Sequence, residues 1–241
     1  AWNTITHMTI NHVMKKAPLP SGLQDLTFGA DFNQCIEKMS LPNALKSLTF
    51  GVCFNQSLEN VSLPSGLQHL VFGQNFNQSM ETVSLPSGLL SLKFGSFFNK
   101  SMDNVALPSS LQDLTFGACF NQNLEKMPLP CGLQHLKFGF YFNRSIEKVP
   151  LPNLLQSLAF GHDFDQNMEK VSLPNGLKNL QFGDRFDQSM QKVSLPSSLQ
   201  SVTFGGDGNQ NAKKTASRSG LCPIVSIICQ WVRASTKVWS R

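Results

Sequence analysis

The chain is short of charge. Asp, Glu, Lys and Arg make up 15% of its 241 residues, against roughly 25% in an ordinary soluble domain. It has a single tyrosine beside 19 phenylalanines, a skew that points to one small pattern being copied. The apolar stretch near the C-terminus, residues 221–232, spans 12 residues with Pro223 inside. That is too short for the about 20 residues of a membrane-spanning helix. The six cysteines form no CxxC pair and no short-range framework. They read as free thiols in a reducing, cytoplasmic compartment. The opening residues "AWNTITHMTINH" hold no apolar run and no initiator Met. No secretory signal is therefore expected, and a fragment of a longer protein fits.

Catalytic chemistry is equally scarce. There is no nucleophile motif, phosphate loop or HExxH arrangement,. Of the five histidines (His7, His12, His69, His135 and His162), only His69 and His135 share a place in the pattern described below. They stand three periods apart, about 14 Å at strand spacing. Metal bonds of about 2 Å cannot bridge that gap. No enzyme, metal or cofactor is expected.

The positive charge is local. Six of the 20 basic residues follow Asp207: Lys213, Lys214, Arg218, Arg233, Lys237 and Arg241. Setting them aside leaves 14 basic against 15 acidic residues. The body of the chain is close to neutral, so nucleic-acid binding is not expected of it.

What the chain has is an unbroken period. Leu-Pro recurs at Leu19, Leu41, Leu63, Leu85, Leu107, Leu129, Leu151, Leu173 and Leu195, every interval being 22 residues. Phe-Gly and Phe-Asn (or Phe-Asp) follow the same beat. A fixed period of this size marks a solenoid, whose units cannot bury their apolar side alone and so must stack. Each unit carries two LxxLxL clusters, such as Leu23, Leu26 and Phe28, then Ile36, Met39 and Leu41. The runs are too short for a helix. Pro lacks an N–H and Gly29 and its equivalents permit positive φ, so both close the runs. One or two short parallel strands per coil are expected, with seven apolar residues facing a shared core. The fold class is thus a β-rich solenoid of about nine coils over residues 19–212. Residues 1–18 form a degenerate N-terminal cap, and residues 213–241 an irregular basic tail.

The pattern LPxxLxxLxFGxxFNQxI resembles the FNIP repeat, a member of the leucine-rich-repeat group. It is visible from about Leu19 to Ala212. The resemblance implies a curved stack with a parallel sheet along one face and a role as an interaction module. The last copy departs from the pattern, with Gly208 and Ala212 where others have Phe and an aliphatic residue. At the N-terminus, "INHVMKKAPLP" aligns with "FNQSLENVSLP" from Phe54, placing Ile10 in the Phe54 column and Met14 in the aliphatic one. Worn end copies are expected as caps. The segment 221–232 reads as a strand or short helix docked on the last coil. A disordered tail and a basic, Cys-bearing peripheral membrane contact stay open as alternatives.

Columns can be compared inside this one chain. Asn33, Asn55, Asn77, Asn99, Asn121 and Asn143 form a structural ladder, in which each amide donates and accepts across coils. Asp165 and Asp187 continue that column, and an ionised carboxylate cannot donate. Their coils are expected to be less well satisfied, and Asp165→Asn to raise the melting temperature. The acidic column from Glu37 to Glu169 sits beside Lys38, Lys126, Lys148 and Lys170, and reads as a solvated, self-neutralising face. Variable columns flank the strands. They supply a candidate partner surface of Phe97, Phe140, Tyr141, Lys93, Lys137, His69, His135 and Arg144. Function is expected to be protein–protein interaction. The alternatives are a self-assembling structural solenoid and the repeat portion of a larger multidomain protein.

Overall fold

The computed structural model describes residues 5–11 and 18–206, together with the backbone of 226–229. Each coil contributes one strand, and all eleven strands form one parallel sheet in chain order. They are β1 (His7–Ile10), β2 (Asp25–Phe28), β3 (Ser47–Thr49), β4 (His69–Val71), β5 (Ser91–Lys93), β6 (Asp113–Thr115), β7 (His135–Lys137), β8 (Ser157–Ala159), β9 (Asn179–Phe182), β10 (Ser201–Phe204) and β11 (Ser226–Cys229). From β2 to β10 the register advances by whole repeats, as in Leu48 opposite Leu70. Among the described residues there is no helix.

The strand forms in the LxxLxF cluster, whose last three or four residues are extended and alternate. Leu26 and Phe28 point inward while Asp25 and Thr27 point out,. The second cluster is closed into turns: the Met39 N–H donates to the Ile36 carbonyl at 2.9 Å, and Val61 to Leu58 at 3.0 Å. Two further turns complete each coil. Leu23 donates to the Pro20 carbonyl and Phe32 to the Gly29 carbonyl, both at 3.1 Å. The Ser or Asn before the aliphatic residue fastens the second turn, as where the Glu59 N–H donates to Ser57 Oγ and Glu125 to Asn123 Oδ1,.

The core holds Leu23, Leu26, Phe28, Phe32, Ile36 and their equivalents, nearly free of solvent. The sixth position is less uniform: Val61, Val83 and Met127 are buried, while Met39 and Val193 are half-buried. The leucines of Leu-Pro, Leu41 excepted, are only half-buried. They cover the core rather than fill it. Two phenylalanine columns run through the stack. Strand phenylalanines of successive coils are 5.3 to 5.7 Å apart between ring centroids, and turn phenylalanines 6.1 to 6.3 Å. Equivalent atoms report the local step from coil to coil, so the coils splay away from the sheet. The sheet lies on the concave side.

Three local expectations are corrected. The first concerns the Phe-Gly glycines. The only positive-φ glycine among the described residues is Gly206, at 50°. The repeated glycines answer to proximity: a Cβ on any of them from Gly51 to Gly183 would run into the carbonyl of the glycine one coil below. The second concerns Ile10. It pairs with Phe28, with Met8 opposite Leu26. Ile10 therefore occupies the strand column, not the Phe54 turn column, because "HMTI" alternates in and out as "DLTF" does. Met14 lies outside the described residues.

The third correction concerns the Asn column. Its side-chain oxygen accepts the backbone N–H of the equivalent residue in the next coil, at 2.9 to 3.0 Å from Asn33–Asn55 through Asn121–Asn143. The next residue adds a second donor, as where Gln56 Nε2 meets Asn33 Oδ1 at 3.0 Å. The step needs only an acceptor, so a carboxylate serves. Asp165 Oδ1 accepts from Asp187 N at 3.0 Å and from Gln188 Nε2 at 2.8 Å. The step from Asp165 to Asp187 is as well bonded as the others.

At the C-terminal end β11 pairs in parallel with β10, Val202 opposite Ile227. The backbone of 226–229 thus continues the sheet as a strand. Gly208, Ala212 and the remainder of the tail lie outside the described residues.

Gly95→Ala is expected to destabilise by about 2–4 kcal/mol, since backbone must move to admit the methyl. Gly66→Ala should cost under about 1 kcal/mol, because only the Asn43 carbonyl at 3.2 Å is close and Ala44 already occupies the equivalent place. Urea midpoints compare the two. By the same measurement Asn55→Ala should lose about 1–2 kcal/mol by stranding the Asn77 N–H. Asp165→Asn should stay within about 0.5 kcal/mol, neither residue changing the acceptor.

Candidate functional site

Two surfaces escape the core. One is the outward face of the strands, in two rows. His69, Ser91, Asp113, His135 and Ser157 are in register, as are Val71, Lys93, Thr115, Lys137, Ala159 and Gln181. Lys93 and Lys137 therefore share a row with Thr115 between them. His69 and His135 share the other row, three strands apart, so the structure does not bring them together.

The second surface is the edge just beyond the glycines. Backbone bonds continue the stack here: Phe97 N–H to the Gln74 carbonyl, Cys119 to Ser96, Tyr141 to Ala118, Asp163 to Phe140. One edge row reads Phe97, Cys119, Tyr141, Asp163, Arg185, and its neighbour Ala118, Phe140, His162, Asp184. Phe97, Phe140 and Tyr141 are 44 to 50% exposed. Phe140 and Tyr141 meet edge to face with centroids 4.8 Å apart,. Arg144 is drawn away from this patch. It stands in the glutamine column, and its Nε donates to the Asn121 carbonyl at 2.9 Å.

The same columns, one and two coils further on, hold a network that sequence reading passed over. The His162 ring stacks on Phe140 at 4.3 Å and 5°. Its Nδ1 lies 2.7 Å from Asp163 Oδ1, and its Nε2 is 3.7 Å from Asp184 Oδ2. Arg185 Nε approaches Asp163 Oδ1 at 3.5 Å. The signal was available: His162, Asp163, Asp184 and Arg185 follow Phe140 and Tyr141 at the 22-residue step.

Between the strand row and the edge row runs a trough whose floor is the glycine column. In the later coils it holds a groove of about 430 Å³. Lys137, Ala159, Gln181 and Thr203 form one wall, Phe140, His162 and Asp184 the other, and Gly139, Gly161, Gly183 and Gly205 the floor. Among the described residues no cluster of three or more His, Cys, Asp or Glu is placed to hold a metal ion. Nor is any described helix long and apolar enough to cross a membrane. On the remaining exposed column, Lys148 pairs with Glu125 at 3.9 Å and Lys170 with Glu147 at 3.6 Å, all well exposed. Such pairs are solvated and weak.

A profile of the FNIP repeat matches residues 11–53, 54–97, 76–119, 98–141, 120–163, 142–177 and 164–207. The chain belongs to the FNIP-repeat family. Its stack is similar to the crystal structure of CroV588, a novel circular LRR protein, with 39% identity and a TM-score of 0.62. The alignment covers 85% of this FNIP-repeat chain and 37% of CroV588, so the chain spans well under half of that protein's length. The pneumococcal vaccine antigen PcpA aligns over 87% of the chain and 68% of its own, at 15% identity and a TM-score of 0.29, a likeness too weak to argue from. Curated protein sequences yield no significant match.

Proposed function

We propose that this FNIP-repeat chain is a non-enzymatic scaffold for protein–protein interaction that docks a partner on the edge beside the sheet. One observation carries the reading. Seventeen of the 19 phenylalanines are buried in the two core columns, while Phe97 stands exposed on one edge and Phe140 and Tyr141 stand exposed two coils further along it. Exposed aromatics of this kind anchor interfaces. Lys93 and Lys137 on the adjoining strand row, with His69 and His135, supply a polar surround. The described cysteines Cys35, Cys53, Cys119 and Cys131 are free, which supports a reducing, cytoplasmic setting.

A second reading is a larger curved assembly, by self-association or by continuation into a longer chain. The splay of the coils and the greater length of the circular LRR protein favour it.

Affinity capture from native lysate with the intact chain and with a Phe140→Ala/Tyr141→Ala variant tests the edge. At least one partner should be recovered by the intact chain and lost, about tenfold or more, by the variant, as expected of hot-spot aromatics. Equal recovery of every partner removes the assignment. For the second reading, light scattering against concentration should show growth in particle mass; a constant mass excludes self-association.

A further inference from the structure

We propose that the glycine-floored groove between Lys137 and Asp184 is a binding site for an extended peptide carrying one acidic and one basic residue three positions apart. The proposal rests on the interaction-scaffold reading and deepens it, naming the groove beside the aromatic edge as the specificity element. The floor is the first reason. Gly139, Gly161, Gly183 and Gly205 line it as backbone alone, although the room their missing Cβ atoms leave is taken by the neighbouring coil and, at Gly205, by the Asp184 carboxylate. Dimensions are the second. The lining runs from β7 to β10, three strand steps or about 14 Å, the length of about four extended residues. Its volume of about 430 Å³ falls within the roughly 300–1,000 Å³ of binding pockets.

Charge complementarity is the third reason. One end carries Lys137. Two coils on, the wall carries Asp184, whose side chain is 55% exposed and only 3.7 Å from His162 Nε2, a loose pairing. Between the charges the lining is Phe140, Ala159 and Gly161, with the His162 ring face covered by Phe140. Lys137 and Asp184 are thus separated by two coil steps, about 10 Å along the stack. Three residue steps of an extended peptide, at about 3.3 Å each, span the same distance. A Glu or Asp at one end would meet Lys137, and a Lys or Arg at the other would meet Asp184. Two apolar residues would lie against Phe140 and Ala159. Peptides with two acids or two bases set one like-charge pair against the groove, which is the selectivity expected.

The test uses four sets of fluorescent, end-blocked tetrapeptides with Leu, Val or Phe at the two middle positions. The outer residues are Glu with Lys, Glu with Glu, Lys with Lys, or Gln with Gln. Fluorescence anisotropy with the full chain at low salt should show the Glu/Lys set binding about tenfold tighter than either like-charged set, in line with two partly exposed charge pairs. Lys137→Glu should shift the preference to Lys/Lys peptides, and Asp184→Lys to Glu/Glu peptides. Both replaced side chains are exposed, and an unchanged melting curve checks the fold; should Asp184→Lys melt early, Lys137→Glu decides alone. Absence of binding by all four sets overturns the proposal, as does a charge preference that survives the exchange. The two readings fail separately. If the peptides do not discriminate while Phe140→Ala/Tyr141→Ala still loses a captured protein, the groove falls and the scaffold stands. If the charge exchange holds while capture is unaffected by the aromatic variant, the edge patch falls and the groove stands.

Discussion

Parallel strand pairing sets successive coils about 4.8 Å apart, and this spacing governs everything else in the molecule. With an unbroken 22-residue period, the nearest neighbour of almost every side chain is its own counterpart one coil away. A residue type survives in a column only if it packs well against itself. Phenylalanine does, ring over ring in two columns through the whole core. Glycine is required where the coils approach so closely that carbonyl and α-carbon leave no room for a methyl. Asparagine satisfies the rule by offset, its side-chain oxygen taking the N–H of the next coil rather than the next amide.

Charge is held mainly to exposed columns. The acidic column from Glu37 to Glu169 is solvated, and lysines from the adjoining coil reach Glu125 and Glu147. The exception is informative. Asp165 enters the asparagine column without disturbing it because its carboxylate faces donors, the Asp187 backbone N–H and the Gln188 amide. A ladder that needed donors on both sides would have excluded it.

The proposed function draws on the positions that this self-packing rule leaves alone. The outward strand rows and the two edge rows change identity from coil to coil, because solvent rather than a copy lies beyond them. There the chain places Phe97, Phe140 and Tyr141, and, further along the same rows, the His162 network and Asp184. The glycine column belongs to both worlds. It is demanded by the stacking of coils, yet it also forms the floor of a trough. A binding site of this kind costs the fold nothing, since the floor is already present in every coil.

Much of this was determined by the sequence alone. The period, the stack, the inward-facing phenylalanines and leucines, and the identity of the variable columns all follow from comparing copies, because every copy answers to the same packing. The sequence could not say which way a repeated feature worked. Glycine permits positive φ and permits close approach equally well, and only the distance between coils decided for approach. Asparagine both donates and accepts, and only the position of the next N–H showed that acceptance was the role. Ile10 fits two columns by alignment, and the sheet register chose one. Above all, the groove joins residues such as Lys137 and Asp184, 47 positions apart in the chain. Their proximity exists only because coiling brings each turn of chain back over the last.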